Sequence, residues 1–146
     1  MPMTLSEIAE QMRDIDICTL ATRAPSGAIA ARPMSNNREV DFDGDAWFFT
    51  LDSTATVPQI EADANVGVTY QRSGGVKGLV GRPGPFFHVE ARADLVRDRA
   101  AFAAHWHKDL DHWFEQGIDT PGIVLIHARA QRVHYWDGED SGEIAV

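Results

Sequence analysis

The chain has 146 residues, 44% of them hydrophobic and 24% charged, the proportions of an ordinary globular protein rather than a disordered or membrane-embedded one. That length fits a single domain over residues 1–146 with a core of its own. The net charge of −9 disfavours nucleic acid and anionic membrane surfaces as partners, because both are bound chiefly through Lys and Arg.

Thr4 or Ser6 is placed to cap a first helix, in which Leu5, Ile8, Ala9 and Met12 recur at helical spacing as one apolar face ending near Arg13. Residues 15–22 read as a strand, Pro25-Ser26-Gly27 as its turn and 28–34 as the returning strand. A third strand is expected over 46–51, after the turn-rich Asn36-Asn37-Arg38 and Asp41-Phe42-Asp43-Gly44-Asp45. Ser53 or Thr54 then caps a short helix with Val57 and Ile60 facing inward and Pro58 in its first turns, where a missing N–H is tolerated.

Alternation of Val66, Val68 and Tyr70 marks a half-buried strand over 65–71. The Gly- and Pro-rich run 73–85 reads as a long loop, without the turn and helix that a phosphate-binding glycine motif requires. A long strand over 86–96, a helix over 99–116 capped by Asp98, and a last strand over 123–136 complete the chain. Many antiparallel strands with few helices predict an α+β fold, a small β-barrel with helical caps; the strand-helix alternation of a doubly wound parallel sheet is missing.

Ala31-Arg32-Pro33-Met34-Ser35 and the pair Trp47-Phe48-Phe49-Thr50 and Asp52-Ser53-Thr54-Ala55-Thr56 set an arginine and several hydroxyls beside apolar strands. A phosphorylated, planar aromatic cofactor needs that combination. Cys18 is the only cysteine and lies in a strand-like run, so it reads as a buried core thiol. Phe102, Trp106, Leu110 and Trp113 form an apolar stripe on the expected 99–116 helix, with His105, Asp109 and His112 on an adjacent face. No fourth ligand is specified there, so a solvated face and no metal are expected. His88 and Glu90, two apart in a strand, point to the same side of the sheet.

The first residues lack the basic and apolar regions of a signal peptide, and no run approaches the roughly 20 apolar residues of a spanning helix. A soluble cytoplasmic protein is expected.

In these segments, together with Cys18-Thr19-Leu20-Ala21-Thr22, Val57-Pro58-Gln59-Ile60-Glu61-Ala62, Ala103-Ala104-His105-Trp106, His112-Trp113-Phe114 and Val133-His134-Tyr135-Trp136-Asp137-Gly138, the chain resembles the FMN-binding split β-barrel proteins related to pyridoxamine 5′-phosphate oxidase, in particular the general stress protein subgroup. The resemblance implies an antiparallel split barrel with short flanking helices. It also implies a cytoplasmic homodimer with flavin sites at the subunit interface. By it, Arg32, Pro33, Met34, Phe49, Thr50, Ser53, Thr54, Thr56, Trp106 and Trp136 are the cofactor-contacting residues, with Trp136 supplied to the neighbouring subunit's site. Where many relatives carry a lysine for the phosphate this chain has Thr56, which leaves FAD open beside FMN.

The activity implied is an oxidoreductase that passes electrons from a reduced nicotinamide to a small acceptor. The alternative is a non-catalytic flavin-binding stress protein for storage or sensing. Authentic pyridoxamine 5′-phosphate oxidase fits less well, because its substrate-binding Arg and His motif gives way here to the acidic stretch Glu139-Asp140-Ser141-Gly142-Glu143. A deazaflavin, with its polyanionic tail, suits the acidic chain poorly.

Overall fold

Thr4 Oγ1 accepts from the Glu7 amide (3.2 Å) and Glu7 Oε2 accepts from the Thr4 amide (2.8 Å), a reciprocal cap that starts α1 (Leu5–Met12). The helix buries Ile8, Ala9 and Met12, the face its spacing predicts. Gly27, at φ 90°, turns β1 (Ile17–Arg23) into β2 (Ile29–Ser35). Then follow β3 (Asp45–Leu51), α2 (Thr56–Ala62), β4 (Asn65–Gln71), β5 (Phe86–Val96), α3 (Arg99–His105), 3₁₀ turns at Lys108–His112 and Gly117–Asp119, β6 (Ile123–Asp137) and β7 (Asp140–Ala145). The computed structural model describes residues 2–71 and 84–146, so all of the expected 73–85 loop except Gly84 and Pro85 lies outside the described residues.

The strands form one antiparallel sheet in the order β2-β1-β4-β5-β6-β3, and β6 carries β3 on its first half and β7 on its second. No ladder joins β2 to β3 among the described residues. The barrel is therefore split between these two strands, and that split is where a ligand can enter. The fold is α+β, as the alternating strands and sparse helices predict.

Two packed clusters hold it together. Ile8, Met12, Leu20, Val68, Tyr70, Phe87, Ile126 and Val133 fill the barrel beneath α1. Phe49, Phe102, Leu110, Ile123 and Leu125 pack the outside of β3 and β6 against α3 and the first 3₁₀ turn. Each fully buried side chain of this size contributes about 1.5–3 kcal/mol. Cys18 is buried and its thiol is pushed up to about 12 by burial, which makes it an inert core residue.

Five local expectations are corrected. The helix expected over 99–116 ends at His105, because Trp106 and His107 turn extended and the Trp106 ring packs against Phe49 and Phe114 instead. Asp98 makes no side-chain cap there. The stripe of Phe102, Trp106 and Leu110 still packs as one cluster, which is why helical spacing misled. His105, Asp109 and His112 consequently share no helix face, and no group of three or more potential metal ligands clusters among the described residues.

α2 has Ala55 rather than Ser53 or Thr54 at its N-cap, and no side chain caps it, since the Thr54 hydroxyl bonds back to Leu51 O at 2.8 Å. The acidic C-terminal stretch is a strand: Asp137 pairs with Asp140 across Gly138-Glu139, with Gly138 at φ 65°, the geometry of a two-residue hairpin led by glycine. Asp137-Gly138 is the signal in the sequence that marks it.

Candidate functional site

The hairpin register sets Arg32 opposite Leu20 and diagonal to Thr22, so both side chains point to the inner face. Arg32 Nη1 donates to Thr22 Oγ1 (2.8 Å) and to Leu20 O (3.2 Å), and Nη2 donates to Gln59 Oε1 (2.9 Å) on α2. Thr22 Oγ1 donates in turn to Gln59 Oε1 (2.6 Å). Burial lowers the Arg32 pKa, yet guanidinium remains charged at any ordinary pH.

This arginine forms one wall of a cavity of about 400 Å³ at the split between β2 and β3. Pro33, Met34 and Ser35 continue the β2 wall; Phe48, Phe49, Thr50 and Leu51 come from β3. Thr54, Ala55 and Thr56 close one end at the start of α2, and Leu110, Trp113 and Phe114 close the far side. The size lies within the usual range for a small-molecule site, and the walls are largely apolar and aromatic.

The three threonines differ. Thr54 gives its hydroxyl proton to Leu51 O (2.8 Å), so in the 3.0 Å contact with Thr50 it is Thr50 that donates. Thr56 is 4% exposed and its hydroxyl bonds to none of the described residues, leaving it free to meet a ligand. Among the described residues Arg32 is the only charged side chain in the lining.

Of the residues expected to touch a cofactor, Arg32, Pro33, Met34, Phe49, Thr50, Thr54 and Thr56 line this one cavity. Ser53 is exposed and outside the lining. Trp106 stands behind the wall, edge-on to Phe49 (5.0 Å between ring centroids) and Phe114 (5.9 Å). Trp136 is 46% exposed on β6, near His134, and does not line the cavity of its own chain.

Gln59 and Thr22 escape a reading by motif. The two-residue offset of Thr22 from the Arg32 register, and the helical spacing of Gln59 from Thr56, are the signals that point to them. His88 and Glu90 do share a hollow on the outer face, but they do not pair. His88 Nδ1 contacts Thr69 Oγ1 (2.9 Å) and Glu90 Oε2 contacts His134 Nε2 (3.2 Å).

Solved structures share this fold. A general stress protein 26-related protein of the pyridoxinephosphate oxidase family from Clostridium acetobutylicum superposes with a TM-score of 0.78 at 17% identity, covering 97% of this chain and 94% of that one. General Stress Protein 26 from Bacillus anthracis gives 0.75 at 19% identity, covering 99% and 100%. A heme binding protein from Mycobacterium smegmatis gives 0.76 at 17% identity, covering 99% of this chain and 59% of that one. No curated protein matches the chain. Residues 4–146 match the family described as pyridoxamine 5′-phosphate oxidase like; the chain belongs to that family.

Proposed function

We propose that the cavity binds a flavin phosphate, FMN in the first place, and that the protein is a cytoplasmic flavoprotein of the oxidoreductase type. The observation that carries this reading is Arg32, a cation with no carboxylate partner among the described residues, at the wall of a largely apolar and aromatic cavity. A phosphate is the natural counter-charge. Thr56 adds a free hydroxyl, and Phe48, Phe49, Trp113 and Phe114 offer surface for a planar ring. The donor set suits a flavin better than a haem, because the lining offers Met34 but no His, Cys or Tyr as an axial ligand.

When bound, the flavin supplies the redox chemistry. The chain's own residues bind, orient and exclude water. Among the described residues the lining holds no His, Cys, Asp, Glu or Lys, which suits chemistry carried by the flavin itself; the donor proposed is a reduced nicotinamide, with a small molecule as acceptor. The same observation favours a second reading, a protein that holds flavin without turnover.

The assembly proposed is a homodimer. Ile29 (79% exposed) and Ile17 (39% exposed) lie on the outer face of β1 and β2 beside exposed Ala31 and Pro33, an apolar face of the kind a second copy covers. Next to it lies a hollow floored by Ala21 and Gly67, which adds to the face a two-fold related copy would cover. Trp136 is the aromatic that each copy would offer to the other's flavin.

Titration with FMN, FAD and a deazaflavin, followed by anaerobic NADH or NADPH, tests the reading. FMN uptake with bleaching of the visible band is expected. Uptake without bleaching selects the holding function, and no uptake of any flavin removes the proposal. Sedimentation at micromolar protein is expected to give a dimer.

A further inference from the structure

Most arginines among the described residues pair with a carboxylate. Arg13 pairs with Asp41, Arg23 with Asp63, Arg38 with Asp109, Arg97 with Asp52, Arg99 with Asp119, Arg129 with Asp94 and Arg132 with Glu143. Among the described residues only Arg92, which donates to Asn65 Oδ1 on the surface, and Arg32 have no carboxylate partner. Of the two, it is Arg32 that lines the cavity between β2 and β3.

Its three acceptors, Leu20 O, Thr22 Oγ1 and Gln59 Oε1, are all neutral, and the last two are linked to each other at 2.6 Å. Thr22 is 3% exposed, so the brace is built into the core rather than formed at the surface. A glutamate at position 59 would have the same shape and the same acceptor atoms. It would also place a negative charge 2.9 Å from the guanidinium and satisfy it in the way the other arginines are satisfied.

Resting on the flavin phosphate reading above, we propose that Gln59 is a specificity-determining positioning residue: with Thr22 it orients Arg32 through neutral acceptors alone, which keeps the cation's charge for a phosphomonoester in the cavity. The amide gives geometry without neutralisation. The recognised feature is the phosphate dianion, so FMN is separated from riboflavin at this point.

The experiment titrates the full chain and its Gln59→Glu, Gln59→Leu and Thr22→Val variants with FMN and with riboflavin, and melts each protein. Gln59→Glu is expected to lower FMN affinity about tenfold or more, the scale of one charged hydrogen bond, while riboflavin affinity stays within about twofold and the melting temperature does not fall. The salt dependence of FMN binding flattens in the same variant, because its ion pair is lost. Gln59→Leu weakens FMN in the native background and has no further effect when combined with Arg32→Ala, a coupling that a merely structural role would not produce. Thr22→Val keeps the shape of the core and weakens FMN less than Gln59→Leu.

FMN affinity unchanged in Gln59→Glu, equal losses for FMN and riboflavin, or additive effects of Gln59→Leu and Arg32→Ala overturn the inference while leaving the flavin reading intact. A native chain that takes up neither flavin overturns the reading on which it rests.

Discussion

The indole N–H of Trp106 donates to Asp111 Oδ1 at 3.0 Å. This bond spans the point where α3 ends and ties the following 3₁₀ turn down, so that Leu110, Trp113 and Phe114 stand as the far wall of the cavity. An Arg38–Asp109 ion pair at 3.1 Å anchors the same turn to the loop after β2.

Asp111→Ala is therefore expected to loosen the wall without unfolding the barrel. The bond is exposed, and such a bond is worth about 0.5–1.5 kcal/mol. Flavin affinity should fall by about two- to tenfold while the melting temperature changes little. Fluorescence-monitored FMN titration beside a thermal melt checks both, and an affinity equal to the native chain's would show that the wall does not depend on this contact.

Arg32→Ala is expected to weaken FMN more than Thr56→Ala, by about 2 against about 1 kcal/mol, because a permanent multi-donor cation is lost in one case and a single neutral hydroxyl in the other. Thr54→Ala should act mainly on the loop, since its hydroxyl proton is already committed to Leu51 O. Calorimetric titration of the three variants orders them.

Thr56→Lys places an ammonium at the end of the cavity where the free hydroxyl now stands. FMN should bind more tightly at low salt, and the gain should shrink as salt is added. FAD should gain less, because its pyrophosphate spreads charge over a longer group. An FMN affinity unmoved at low salt would place the phosphate away from the start of α2.

Stability should decline as the pH falls below the ordinary histidine value of 6.5. Burial lowers the pKa of His107; Asp109, Glu39 and Asp111 oppose that shift and Arg38 reinforces it. Both of its ring nitrogens are buried without a hydrogen-bond partner among the described residues. The unfolded chain takes up the proton first, so the stability contributed by the neutral ring is complete above 6.5 and is lost as the pH falls toward the lower folded value. His88 and His105, also lowered by burial first of all, act in the same direction. His107→Phe is expected to be neutral or stabilising near neutral pH, since it removes a buried polar ring without partners, and to flatten the slope below 6.5. Thermal melts across that range check the sign.

The strands other than β7, the first helix and the apolar side of each were legible in the sequence because period-two and helical alternation are local consequences of burial on one face. Thr4 and Glu7, Val57 and Ile60, and the alternation of Val66, Val68 and Tyr70 all stand where their spacing places them. That an arginine strand and a Phe-Phe-Thr strand supply walls of one cavity was legible too, since Arg32 and Thr50 each sit in a short segment of unmistakable composition.

What the sequence could not decide by itself depended on contacts between segments distant along the chain. The expected long helix stops at His105 because Trp106 finds Phe49, 57 positions away in sequence, and that packing outweighs a helical propensity worth only tenths of a kcal/mol per residue. Arg32 meets Gln59 and Thr22 only because β1, β2 and α2 converge on one inner face. Local composition determined which residues could carry a charge or a hydroxyl; the closing of the sheet decided which of those charges would be left without a counter-ion.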